Sequence, residues 1–169
     1  AKKCAEKGID LISMDMIPRT TLAQKMDALS SQANIAGYKS VVMCAETLGK
    51  IFPLMMTAAG TISPAKVVIM GAGVAGLQAL GTAKRLGAVV EVSDIRTAVK
   101  EEVQSLGGKF IEVEGAEDMQ DAGGYAKEAT PEFLQKQKET IFKHVTEADI
   151  VITTALNKRK KAPILVSEE

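Results

Sequence analysis

KVVIMGAGVAGLQALGTAKRLGAVVEVSD, Lys66 to Asp94, holds the pattern that decides the fold. An apolar run, Val67 to Met70, leads into Gly71, Gly73 and Gly76. A helical pattern, Val74 to Leu86, ends at Gly87, and a second apolar run, Val89 to Ser93, closes on Asp94. The spacing GxGxxG is weak evidence by itself, because the chain has 14 glycines. In the order strand, glycine turn, helix, strand, acid it predicts a dinucleotide-binding unit. Gly71 should allow the tight turn, Gly73 the close approach of backbone to a pyrophosphate, and Gly76 the packing of helix on strand. The amides of Val74 and Ala75, at the helix start, would face the phosphates. Asp94 would accept hydrogen bonds from the adenosine ribose hydroxyls and repel a 2′-phosphate, which favours NAD over NADP. Arg96 reads either as a charge at a helix start or as an acceptor for the NADP phosphate.

Outward from that unit the pattern alternates. Arg96 to Leu106 reads as a helix capped by Gly107 and Gly108, Phe110 to Val113 as a strand, Pro131 to Val145 as a helix and Ile150 to Thr153 as a strand. Alternating elements of this kind predict an α/β fold, a Rossmann-type doubly wound parallel sheet flanked by helices. The segment Glu114 to Thr130 is long and rich in Gly, Asp and Glu, a composition that suits a functional loop. On the N-terminal side, AAGTISPAK supplies turn chemistry before Lys66, and Thr21 to about Phe52 is helical in pattern, with Gly37 and Gly49 as points of division. Ile9 to Met16 reads as a strand running to Pro18. The expected organisation is a partial preceding subdomain with a connecting helix over 1–60 and the nucleotide-binding domain over 61–169, truncated at its C-terminal side. The opening AKKCAEKGIDLI looks like the end of a helix running into a strand, so the expectation is a piece of a longer protein.

The 169 residues are 46% apolar, enough for a core on both faces of a sheet. Lys plus Arg and Asp plus Glu are both 21, which argues against nucleic-acid binding. The uncharged stretches Ile51 to Ala65 and Val67 to Ala83 are too short to span a bilayer. Cys4 and Cys44 stand far apart without partners at ligand spacing, so neither a disulfide framework nor a metal site is expected. The single histidine, His144, reads as a surface or boundary residue.

One polar stretch carries more than its pattern. Ile17 to Lys39 concentrates Arg19, Gln24, Asp27, Ser30, Ser31, Gln32 and Asn34. From pattern alone it is an amphipathic helix with a solvated face, capped by Thr20 or Thr21. At PRTTLAQKMDALSSQANIAGYK, TAAG, GAGVAGLQALGTAKRLGA, GGYAKE and ITTAL…KKAP, however, the chain resembles the NAD(H)-binding domain I of the proton-translocating nicotinamide nucleotide transhydrogenases. The resemblance spans nearly the whole chain and covers the central and later part of that domain.

It implies that Arg19, Gln24 and Asp27 orient the nicotinamide, with Ser30 nearby, and that Gln24 helps bring the ring against the NADP(H) nicotinamide of a separate domain III. Direct hydride transfer between two nicotinamides needs aligned rings rather than a nucleophile, which suits a chain without a catalytic triad. GGYAKE, Gly123 to Glu128, resembles a mobile loop whose tyrosine, here Tyr125, closes on the nucleotide. Where the family has a hydrophobic-Pro-Gly turn after TTAL, this chain reads Asn157, Lys158 and Arg159, which leaves the conformation of that turn open. The resemblance further implies a proton-translocating, Si/Re-specific enzyme. Its partners would be domain III, a membrane domain II and a second domain I in a homodimer, at the cytoplasmic face of a bacterial inner membrane or the matrix face of the mitochondrial one. Two rivals remain at this point: an alanine dehydrogenase fragment, which shares the glycine motif, and a module that senses NAD(H) without catalysis.

Overall fold

A run of four buried apolar residues, Val67 to Met70, can be satisfied only where both faces of a strand are covered, and the chain builds that setting around it. The computed structural model describes residues 2–18, 20–113, 131–156, 162 and 164–166. In chain order its elements are α1 (Lys2–Ala5), α2 (Ala28–Thr47), β1 (Met55–Thr57), β2 (Gly60–Ile62), β3 (Lys66–Met70), α3 (Val74–Arg85), β4 (Val89–Ser93), α4 (Lys100–Ser105), β5 (Lys109–Phe110), α5 (Pro131–Thr146) and β6 (Ile150–Thr153), with 3-10 turns at Met14–Met16, Gln24–Met26 and Thr97–Val99. β3 to β6 form a four-stranded sheet in the order β5-β4-β3-β6. All its pairs are parallel, with Met70 level with Ser93 on one side and with Thr153 on the other.

The strand period of two sorts the side chains. Val67 and Ile69 join Val90, Val92 and Ile152 in one core with Ala79, Leu80 and Ala83 of α3 and Val103 of α4. Val68 and Met70 point the other way, to Ile111 and to Ile141 of α5. Helices on both faces confirm the expected doubly wound α/β architecture. Each fully buried side chain of this kind contributes about 1.5–3 kcal/mol relative to exposure.

α2 belongs to the same core. Val41 and Phe52 are buried with the sheet residues, and the Phe52 carbonyl accepts the Ala65 N–H just before β3 (3.0 Å). Higher up, Gly37 sits so close to α3 that a Cβ there would stand 2.1 Å from the Ala75 carbonyl oxygen. The two helices therefore run side by side, with the C-terminal half of α2 descending toward the amino ends of the strands. Its N-terminal half projects past their carboxyl ends. Gly37 does not divide the helix as its composition suggested; it is the residue that lets two backbones touch.

Three expectations are corrected. Ile9 to Met16 is not a strand: Ile9 to Ser13 has no regular structure, and Met14–Met16 is a 3-10 turn tied by the Ser13 hydroxyl on the Asp15 carboxylate. A strand needs an edge to pair with, and among the described residues none lies beside it; Ile12 is 89% exposed. The strand read over Phe110 to Val113 is Lys109–Phe110, because β4, the strand it pairs with, ends at Ser93. The stretch read as pure turn holds a hairpin, Met55–Thr57 against Gly60–Ile62. Two strands of three residues carry too little alternation to stand out from a loop.

Candidate functional site

The sheet order fixes where a ligand can enter. After β5 the chain crosses to the opposite face and returns as β6 on the far side of β3, so the connections leaving β3 and β6 diverge. In open α/β sheets the crevice at the carboxyl ends of such a pair of strands is the ligand site. Here it is floored by the glycine turn.

Gly71 leaves β3 at φ +109°, a conformation that L side chains rarely adopt. Its N–H donates to the Ser93 carbonyl (2.8 Å), which ties the turn to β4. A Cβ on Gly76 would lie 1.7 Å from the Gly71 carbonyl oxygen, so α3 folds back onto the turn that launches it. Gly73 is different. It is the N-cap of α3 in ordinary extended geometry, and a Cβ there would meet nothing within 4 Å. The fold itself gives no reason for glycine at this position; a ligand pressed against the backbone would. The first-turn amides of Val74, Ala75 and Gly76 lack intrahelical acceptors and sit where an anionic group would find them. The residues present therefore fit a bound pyrophosphate.

Thr154 completes the floor, and sequence reasoning missed it. Its N–H donates to the Met70 carbonyl (2.9 Å) and its hydroxyl to the Gly71 carbonyl (2.9 Å), clipping the end of β6 to the turn. The only signal in the sequence is a hydroxyl residue immediately after an apolar strand.

Asp94 ends β4 as expected and is bound from four directions. Its carboxylate accepts the Ala72 N–H (2.7 Å), the Arg96 N–H (2.9 Å), and Nε (3.0 Å) and Nη2 (2.9 Å) of the Arg96 guanidinium. Arg96 is thus no solvated charge, its side chain being only 15% exposed. Burial alone would raise the Asp94 carboxyl, but the Arg96 guanidinium and the two backbone donors outweigh it and hold the group below the usual carboxylate range. A carboxyl lowered in the folded state contributes stability above its unfolded value of about 3.9 and loses it as pH falls through the folded value. Urea midpoints measured from about pH 6 to about pH 2 should therefore fall, and fall less steeply in Asp94→Asn. Parallel curves for the two proteins would refute this.

The polar stretch resolves into a cap and an overhang. Asp27, not Thr20 or Thr21, caps α2: its carboxylate accepts the Ser30 N–H (2.9 Å) and the Ser30 hydroxyl (2.6 Å). The threonines precede a 3-10 turn at Gln24–Met26, so their side chains come too early to reach the first helical amides. Asp27 and Ser30 are brought together and half-buried, and Gln24 is exposed beside them. At 1.5 Å per residue, Asp27 lies about 15 Å along the axis from Gly37. Arg19, Tyr125 and the turn at Asn157 to Arg159 lie outside the described residues.

His144 is half-buried and holds Glu91 of β4 through Nδ1 (2.6 Å), the boundary role its position suggested. Among the described residues no group of three or more His, Cys, Asp and Glu could hold a metal ion, and no helix is long and apolar enough to cross a membrane.

Comparison with known proteins agrees with this geometry. Residues 40–169 match the family described as alanine dehydrogenase/PNT, C-terminal domain. The chain is 53% identical to the first of the separately encoded pieces of the NAD(P) transhydrogenase alpha subunit of Rhodospirillum rubrum, over 97% of its own length and 43% of that protein's. The crystal structure of transhydrogenase from Sinorhizobium meliloti superposes with a TM-score of 0.83 at 48% identity, over 98% of this chain and 44% of that one. An L-alanine dehydrogenase structure follows at TM-score 0.64 and 26% identity, over 92% of this chain and 38% of its own. The chain thus spans less than half the length of these relatives. Sheet order, glycine turn and sequence all lead to one conclusion: the chain belongs to the alanine dehydrogenase/PNT C-terminal domain family.

Proposed function

We propose that this chain is the NAD(H)-binding portion of a proton-translocating transhydrogenase, with NADP(H) held on a separate domain. The observation that carries the reading is Gly73, a glycine with free space around its missing Cβ at the mouth of the crevice. Relatives named as transhydrogenases, at 48% and 53% identity, support that enzyme over alanine dehydrogenase. Bound nicotinamide supplies the hydride chemistry. The protein's role is to hold it: Gly71, Gly73, Val74, Ala75 and Gly76 at the pyrophosphate, Asp94 at the adenosine ribose, and Arg19, Gln24, Asp27 and Ser30 at the nicotinamide end, under a lid carrying Tyr125. The overhang of α2 supports the last assignment, since it carries Gln24, Asp27 and Ser30 out beyond the carboxyl ends of the strands.

In this reading domain II spans the membrane and the NAD(H)-binding portion lies on its cytoplasmic or matrix face. A second copy of the chain covers the hairpin Met55–Ile62, where Met56 is 74% exposed and an isolated pair of strands is marginal by itself.

The test is a fluorescence titration with NADH, with NADPH as competitor, followed by hydride transfer to a separately prepared NADP(H) domain. Preferred NADH binding with transfer is expected, and Asp94→Asn should narrow the preference. Activity on pyruvate and ammonia would instead favour the alanine dehydrogenase reading. Binding without transfer in a sample folded by circular dichroism would favour a sensing module.

A further inference from the structure

The carboxylate that the ribose assignment relies on is already full. A carboxylate has about four lone-pair sites. On Asp94, Oδ1 accepts Arg96 N–H and Nε, and Oδ2 accepts Ala72 N–H and Arg96 Nη2. Two of these donors are backbone and fixed by the fold: Ala72 stands inside the glycine turn, and the Arg96 N–H closes a local turn on the residue two before it. The other two belong to a single planar guanidinium, which gives one hydrogen to each oxygen. Two neighbouring ribose hydroxyls would make the same pattern on the same carboxylate, one donor per oxygen. The fork and the diol thus need the same positions.

From this we infer that Arg96 is an internal competitor for the ribose site, and that exchange of its guanidinium for the ribose diol sets both the affinity for NADH and the discrimination against NADPH. The inference rests on the NAD(H)-binding reading above. The backbone donors stay in place through the exchange and keep Asp94 aimed at the crevice; only side-chain torsions of Arg96 must change. The pair also alters what a 2′-phosphate meets. With the guanidinium in place Asp94 belongs to a neutral pair, and without it the phosphate faces an uncompensated negative charge.

The chain, Arg96→Ala and Arg96→Lys are titrated with NADH, NADPH, 5′-AMP and 2′-deoxy-5′-AMP, with circular dichroism as the folding control. Arg96→Ala should bind NADH and 5′-AMP about tenfold more tightly, the equivalent of one charge-assisted hydrogen bond no longer broken on entry. The gain should be smaller for the 2′-deoxy nucleotide, and NADPH should not share it, so the ratio between the two coenzymes widens. Arg96→Lys keeps the charge but cannot span both oxygens, so it too should bind NADH more tightly, and it decides the matter if the alanine variant does not fold. Unchanged or weaker NADH binding in a folded variant overturns the inference, as does an equal gain for the nucleotide lacking the 2′-hydroxyl. Failure of the unsubstituted chain to bind NADH at all overturns the functional reading, and this inference with it.

Discussion

Gly37→Ala should lower the melting temperature by roughly 6–12 °C, the equivalent of about 3 kcal/mol in a domain of this size. The clash is with backbone: the added carbon would stand 2.1 Å from the Ala75 carbonyl oxygen and 3.1 Å from its Cα. A flexible side chain could swing aside from such a contact, but a carbonyl in the first turn of α3 cannot. The helices would have to separate, and Val41, which is 1% exposed, would lose packing against the core. Intrinsic helix propensity works in the opposite direction, since alanine in a helix interior is favoured over glycine by about 1 kcal/mol. A stabilised variant in a thermal melt would therefore show that the two helices do not approach as closely as described.

Gly73→Ala should separate folding from binding. Nothing lies within 4 Å of the added methyl, and the backbone there is extended, so the melt should stay within about 2 °C of the parent. NADH affinity should fall at least about 100-fold, as two charge-assisted hydrogen bonds of ~1.5 kcal/mol each are lost when the pyrophosphate is held off the helix start. Titration of the folded variant with NADH checks this. Unchanged affinity would remove the pyrophosphate from this turn.

β3, β4 and β6 are legible to the residue because buried parallel strands are continuous apolar runs, and here each is bounded by glycine, aspartate or threonine. Gly87 and Gly107 end their helices at φ +92° and +79°, where glycine is the residue of least strain. What the sequence concealed depends on partners distant along the chain. Ile9 to Met16 has the composition of a strand, but composition does not supply an edge to pair with. Asp27 takes the cap from Thr20 and Thr21 because a 3-10 turn intervenes, and that turn has no marker of its own. At the candidate site, the glycines and Asp94 could be read from spacing. The Arg96 fork on Asp94 and the Thr154 clip could not, because both depend on side-chain directions at the ends of strands. Tertiary contact also changes the meaning of Gly37, which reads as a helix breaker in sequence and is a contact point in three dimensions.

α2 acts as a ruler between the two ends of a dinucleotide. One rod is pinned at Gly37 against the glycine turn and ends in the Asp27 cap, so the polar end is indexed to the phosphate end by helical phase as well as by length. A single residue inserted between Asp27 and Gly37 would advance the cap by about 1.5 Å and turn it about 100°, carrying Gln24, Asp27 and Ser30 to another side of the rod. The hairpin between α2 and β3 carries no such index, and changes in its length leave the phase intact. The spacing along this helix is therefore a coordinate of the site, although none of the intervening residues need touch a ligand.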